Sequence, residues 1–379
     1  MDTESKHGYA VRLILRFFRR GITPAGIICI AVGLLGCVAI YNATFHLEHP
    51  FKYAVRQLIW LLPAFLVLLA ATAMTARQHR SIGLWLSAVL YISLWLVLLF
   101  GIQVNGMRGW FSWNGIFLQP GELGKPAFAL LLAALIVTLR EKYTVAPIVE
   151  FLICLGFLVG WVLPIALQPD FGTVLVYIFA FAATYICLGG KARYLGAATL
   201  GGVPLAALSI RLHPYLAQRI LGFLRPAEYA DSAAWHIRQF QLTLASGGML
   251  GRSWGHGVWT QNYLPLGYSD SMFATIGEAI GLLGLLPFVV LLLAYVLYVY
   301  RNVQHTSDGF RAGVMFCAVF LLAGQAFLHL SVNLGIFPPT GLTLPLISYG
   351  GSSLVSTLAL VGIVESMTRR PAKRFPERD

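Results

Sequence analysis

Charge is what this sequence has least of. Only 11% of its 379 residues are Asp, Glu, Lys or Arg, with 15 acids against 27 Lys and Arg. A mean hydropathy of +0.74 excludes a soluble globular chain. It implies many apolar runs of about 20 residues, the length a helix needs to cross a bilayer. The short alternating segments of a membrane β-barrel are missing. The five cysteines (Cys29, Cys37, Cys154, Cys187 and Cys317) all lie in apolar runs. That placement suits small buried hydrophobes and excludes a disulfide or metal framework. No HExxH or paired CxxC accompanies His236 and His256, which leaves them as surface histidines rather than zinc ligands. No small-residue cleavage site follows the first apolar run, which therefore reads as a retained helix.

Apolar spans recur near 24–43, 57–75, 82–102, 122–139, 147–167, 171–189, 195–210, 272–299, 312–333 and 345–367. The seventh is short and rich in Gly and Pro. With both termini cytoplasmic, most of the 27 Lys and Arg fall in the termini and in short turns on the inner side, as the positive-inside rule requires. The net charge of +12 is thus a topology signal, and nucleic acid is not implied. The expected fold is an all-α polytopic membrane protein of about ten transmembrane helices, a single integral-membrane domain over 1–379. Residues 1–22, with Lys6, Arg12, Arg16, Arg19 and Arg20, suit a basic amphipathic helix on an anionic inner leaflet. Residues 368–379 form a cytoplasmic tail. A large extracytoplasmic loop, 211–270, joins helices 7 and 8; its tryptophans and tyrosines are the wrong composition for disorder, and it should fold back on the membrane surface.

Polar residues gather on the outer side. Gly106–Trp110 offers Arg108 beside Trp110, and Trp110 also suits an interfacial aromatic belt. Glu122 and Lys125 sit three apart at the start of the fourth span, where they can pair on one helix face. Asp170 opens the sixth span, as a helix cap or as a functional carboxylate. Ser348–Ser353 (SYGGSS) lies in the tenth span, its small residues permitting close approach of a helix or a ligand. The stretch Asn262–Gly281 carries Asp270 at a membrane boundary and Glu278 in the helix that follows. Asp270 fits two readings, a helix cap or a working acid. Nearby Arg219, Arg225, Arg238 and Arg252 with several tryptophans suit an anionic amphiphile with a phosphate head. A carboxylate beside bound phosphates could deprotonate a hydroxyl nucleophile. Glu278 is left without an assigned partner.

These motifs resemble the SEDS family of cell-wall polymerases, represented by RodA and FtsW, in the family's order from about residue 25 to 367. GMRGW followed by QPGELGK resembles RRW…QPSELxK, and QPDFGT resembles QPDxGT. WHIRQFQLTLASGGMLGRSWGHG resembles the family's YxxxQSxxAIGSGGxxGxG run, which carries Gln239. YLPLGYSDSMFATIGEAIG resembles FLPExHTDFIFAxxxEELG, and TGLTLPLISYGGSS resembles TGxxLPFxSYGGSS, with Ser348 and Ser352. The resemblance implies a peptidoglycan glycosyltransferase joining lipid II units on the outer membrane face, for cell shape, elongation or division. Asp270 would be the base for the acceptor 4-hydroxyl and undecaprenyl pyrophosphate the leaving group. Arg108, Arg219 and Lys125 would support its charge. A divalent cation at the pyrophosphate is left open, since no motif demands one. The implied partner is a class B penicillin-binding transpeptidase, and the short termini lean to the elongation type.

Departures from the family pattern are Gly109 for its second Arg, Gly121 for its Ser, Tyr229-Ala230 for an acidic-Pro pair with Asp231 shifted one place, and Leu266 and Tyr268 for Glu and His. Two rivals stand beside the polymerase. A lipid II flippase is disfavoured by a polar set at the outer boundary and by the lack of visible inverted repeats with broken helices. A non-catalytic scaffold for a cell-wall synthase draws on the altered loop residues.

Overall fold

A computed structural model describes residues 23–369 except 105, 213, 227 and 230–233. The expected N-terminal amphipathic helix, Asp231 and all but the first two residues of the tail lie outside the described residues. Helices α1 (Pro24–Thr44), α2 (Phe51–Ala73) and α3 (Ala76–Phe100) come first. Strands β1 (Ile102–Val104), β2 (Met107–Trp113) and β3 (Ile116–Leu118) then lead into α4 (Pro120–Val137), α5 (Pro147–Leu167), α6 (Phe171–Cys187) and α7 (Ala192–Leu212). The expected 211–270 loop is largely helical: α8 (Pro214–Leu224), α9 (Trp235–Gly247) and α10 (Val258–Asn262). Helices α11 (Met272–Gln304), α12 (Gly309–Asn333) and α13 (Gly351–Thr368) complete the chain.

Eight of the described helices are long and apolar enough to cross a membrane. The 17-residue α6 is apolar but shorter, and the 21-residue α7, rich in Gly and holding Pro204, is not among the eight; these two helices lie where the sixth and seventh of the ten expected spans fall. Boundaries move where local chemistry decides. Helix α3 starts at Ala76, ahead of the expected 82, because Thr75 and Gln78 form a reciprocal capping box. The last span starts at Gly351 rather than 345, which leaves Ser348 in an irregular loop and Ser352 in the first helical turn. The expected outer loop 103–121 contains a three-stranded antiparallel sheet. Its tight turn is Asn114-Gly115, with φ of 47° and 79°, the pair that the primed two-residue hairpin turn demands.

Helices α4, α12 and α13 form the enclosed centre: α13 packs along α2, and α4 lies between α3 and α12. The cysteines divide, with Cys29, Cys154 and Cys317 buried, Cys37 half-buried and Cys187 exposed, all as free thiols. One helix is broken. Gly281 in α11 has φ 68° and ψ −178°, so Met272–Ile280 is a half-helix. The glycine-rich turn after α9 zips into the break through four backbone bonds. Arg252 N donates to Glu278 O (2.8 Å), Ser253 N to Ala279 O (3.0 Å), Leu282 N to Gly248 O (3.0 Å) and Leu283 N to Met249 O (3.2 Å). The amides and carbonyls freed by the kink are thus satisfied inside the protein, as membrane depth requires.

The two ends of the bundle differ in chemistry. At one end Arg140 grips Glu150 with two bonds (3.0 and 2.7 Å) and the Leu188 carbonyl, Arg80 donates to Thr138, and Arg311 to the Arg369 carbonyl. The sheet, the α5–α6 turn, α9–α10 and the loops around 270 and 340–350 share the other end.

Candidate active site

Asp270 sits at the mouth of the half-helix, and its surroundings hold its backbone more than its carboxylate. Ser348 Oγ donates to Ser269 O (2.5 Å) and accepts from Leu344 N (2.8 Å). Tyr349 N donates to Tyr268 O (2.8 Å), Thr275 Oγ1 to Gly267 O (2.8 Å) and Ser271 Oγ to Pro265 O (2.6 Å). Asn333 Nδ2 donates to Asp270 O (3.0 Å). Gln57 on α2 bridges Ser348 O and Gly350 N. Tyr268 stacks on Tyr53 with ring centres 4.5 Å apart, and both meet Tyr349 edge-on. Where the family has a His, this chain closes one side of the loop with a tyrosine cluster.

Asp270 is a half-buried residue, and its carboxylate accepts one side-chain bond, from Ser269 Oγ (2.9 Å). Burial pushes its carboxyl above the ordinary range, against the opposing pull of the Ser269 hydroxyl and the Arg219 charge. Arg219, on α8, also donates to Pro339 O (2.9 Å). The cap reading of Asp270 fails: Ser271 holds the cap position of α11, and its own side chain makes no cap bond.

The other acids are committed elsewhere. Asp170 caps α6 by accepting from Thr173 N (3.1 Å), and it takes Gln119 Nε2 (2.9 Å). Glu122 and Lys125, 5% and 1% exposed, pair at 2.5 Å. Lys125 Nζ also donates to Gln325 Oε1 (2.6 Å), whose amide reaches Thr343; Glu122 Oε2 has no partner among the described residues. Glu278, fully buried, receives Ser246 Oγ (2.6 Å), Trp259 N (2.9 Å) and Thr260 N (2.8 Å). It is the latch that fastens α9 and α10 to the half-helix.

The remaining predicted residues separate into supports and outliers. Ser352 Oγ accepts from Gln119 N (2.9 Å), tying α13 to the end of the sheet. Gln239 is buried on α9 with Oε1 unpartnered among the described residues. Trp110 is half-buried on β2 opposite Ile102. Arg108 is exposed and reaches back to Leu98 O (3.4 Å).

The departures have local consequences. A Cβ on Gly109 would lie 2.8 Å from Met107 Cε and 3.1 Å from the unpartnered Gln168 Oε1. A side chain at Gly121 would face Asp170 Oδ2, 4.0 Å from its Cβ; here Gln119 makes that bond to Asp170. Leu266 adopts a left-handed φ of 48° on the exposed loop.

Sequence reasoning missed His329 and Asn333, which touch the half-helix directly. The signal was legible: Gln325, His329 and Asn333 recur every four residues along an apolar helix, which places them on one face, and polar groups at membrane depth are functional candidates.

A family model described as Cell cycle protein, covering FtsW, RodA and SpoVE, matches residues 24–373. The chain belongs to that family. It is 31% identical over 341 residues to the probable peptidoglycan glycosyltransferase FtsW of Nitrosococcus halophilus, covering 87% of this chain and 86% of the relative. The protein of the same name from Thiomicrospira cyclica is 31% identical over 377 residues, with 96% and 92% covered. Among solved structures, one described as the structural coordination of polymerization and crosslinking by a peptidoglycan synthase complex superposes with a TM-score of 0.70 at 25% identity, covering 89% of this chain and 96% of that one. The RodA of Thermus thermophilus superposes with a TM-score of 0.65 at 25% identity, covering 90% and 95%. The family and the apolar helices make this chain a multi-pass protein of the bacterial cytoplasmic membrane.

Proposed function

We infer that the chain is a peptidoglycan glycosyltransferase that polymerises lipid II, with Asp270 as general base. One observation carries the assignment of the base. Of the four acids in the shared motifs, Asp170 caps a helix, Glu122 is paired with Lys125, and Glu278 is filled by three donors. Asp270 alone is a half-buried residue whose carboxylate keeps spare acceptor capacity. A carboxyl raised by burial is also better matched to proton abstraction near neutral pH than an ordinary one.

In this reading Asp270 takes the proton of the acceptor sugar's 4-hydroxyl as that oxygen attacks the donor's anomeric carbon. The glycosidic C–O bond forms, the bond to undecaprenyl pyrophosphate breaks, and the departing anion carries off the electron pair. Arg219, whose charge favours the ionised form of Asp270, would meet that anion; Arg108 is exposed and Lys125 is consumed in a buried pair. Among the described residues no three His, Cys, Asp or Glu gather to hold a metal by themselves, and no step is routed through a divalent cation. The partner that fits is a class B penicillin-binding transpeptidase, supported by the structural likeness to a chain of a synthase complex that couples polymerisation to crosslinking.

A lipid II transporter draws on one feature, the broken α11, because discontinuous helices mark many transport sites. That break is zipped by four backbone bonds, which occupy Glu278 O, Ala279 O, Leu282 N and Leu283 N and keep them from a cargo. Purified protein given labelled lipid II is expected to make glycan polymer, and Asp270→Asn to make none at equal expression. Polymer from that variant would sink the base assignment; lipid II crossing vesicles without polymer would favour transport.

A further inference from the structure

The half-helix that starts beside Asp270 is capped from another part of the chain. A helix leaves its first amides without intrahelical partners, and a Ser at the cap position ordinarily satisfies one. Ser271 does not, because its hydroxyl donates to Pro265 O instead. The amides of Phe273 and Ala274 are met by α12. Phe273 N donates to His329 Nε2 (3.3 Å), and Ala274 N donates to Asn333 Oδ1 (3.1 Å). The Asn333 amide then donates to Asp270 O (3.0 Å) and His329 O (2.9 Å). His329 Nδ1 lies 2.7 Å from Leu342 O. A carbonyl only accepts, so Nδ1 carries the hydrogen and Nε2 is left as the acceptor that Phe273 needs. His329 and Asn333 are almost wholly buried, so no water substitutes for either.

We propose that His329 and Asn333 are positioning residues for glycosyl transfer: a cap supplied by α12 that fixes the peptide of Asp270 and so sets the reach of its carboxylate. Neither touches the substrate. The loop around Asp270 has little regular structure of its own; Ser348, Tyr349 and Ser271 hold its neighbouring residues, while the Asn333 bond falls on Asp270 O itself and the two capped amides lie just beyond it. A displacement of about 1 Å at a reacting group can cost on the order of 100-fold in rate. The proposal rests on Asp270 being the base.

The experiment compares substitutions that fill the same space but differ in hydrogen bonding. His329→Gln keeps an acceptor near Nε2, whereas His329→Leu keeps only bulk. Asn333→Leu removes all three of that residue's side-chain bonds. In detergent-purified protein with labelled lipid II, kcat is expected to fall about 10- to 100-fold in both Leu variants, with KM within about threefold. His329→Gln is expected to retain most of kcat. A role in packing alone predicts the reverse order at 329, since Leu suits a buried site better than an incompletely bonded amide. Should the Leu variants fail to fold, Asn333→Ser, too short to span both partners, carries the test by the same split of kcat from KM. Wild-type kcat in Asn333→Ser or Asn333→Leu, beside an inactive Asp270→Asn, overturns the cap while sparing the base. Polymer from Asp270→Asn overturns both.

Discussion

At the residue scale, Asp270 is a group held in a costly state. Its carboxyl lies above the ordinary value because burial penalises the charged form, and Ser269 and Arg219 offset only part of that. The sign has two consequences. As a base it must be ionised, so the acidic limb of kcat/KM is expected to fall at a pH above the ordinary carboxylate range; a pH–rate series reads this directly. For stability, a raised folded-state value means the contribution is present below the unfolded value and lost as pH rises through the folded one. Asp270→Asn is therefore expected to melt higher than the parent near neutral pH, with the gap closing in acid. Thermal unfolding followed by tryptophan fluorescence checks it, and a variant that melts lower at neutral pH contradicts the buried-charge account. Loss of activity with gain of stability is the pattern expected of a strained functional group.

At the element scale, the half-helix shows both what the sequence discloses and what it conceals. Long apolar runs made the spans legible, because membrane crossing imposes length and composition on each segment separately. The broken helix was not legible. Ile280-Gly281-Leu282 looks like any glycine within an apolar span, and its left-handed φ is enforced by the turn at 248–253, some thirty residues away in sequence. The roles of Glu278 and Ser348 were concealed for the same reason: their partners come from other elements. The Asn114-Gly115 hairpin was readable from turn chemistry alone. Gly281→Ala tests the zipper. A Cβ there would meet Met249 O at 2.4 Å in a backbone region that L residues avoid. About 2–4 kcal/mol of destabilisation is expected from strain and overlap together, read as a lowered unfolding midpoint. Glu278→Gln should loosen the same junction, since its one amide oxygen can replace only one of the two carboxylate oxygens that accept from Trp259 N and Thr260 N, and its NH2 sets a donor against the other. Faster proteolysis within 248–262 would report it.

At the scale of the whole molecule, the segregation of chemistry between the two ends ties the site to the outer face. Arg80, Arg140, Arg311 and Arg369 close the turns at one end with bonds to carbonyls, to Thr138 and to Glu150, and short basic turns are the mark of the cytoplasmic side. Asp270, Arg219 and the sheet occupy the opposite end, where a lipid-linked sugar already carried across the membrane would meet them. The native chain supplies the inner probe, because Cys187 is an exposed thiol at the inner end of α6 while Cys29, Cys154 and Cys317 are buried. The outer probe is Trp113→Cys at the tip of the exposed hairpin, where the native side chain is 76% exposed. In intact spheroplasts a membrane-impermeant maleimide is expected to label Trp113→Cys and to leave Cys187 unmodified until the membrane is opened. The reverse order would place Asp270 in the cytoplasm, beside the wrong pool of substrate for strand growth, and would remove the polymerase reading even if every contact around the carboxylate stood as described.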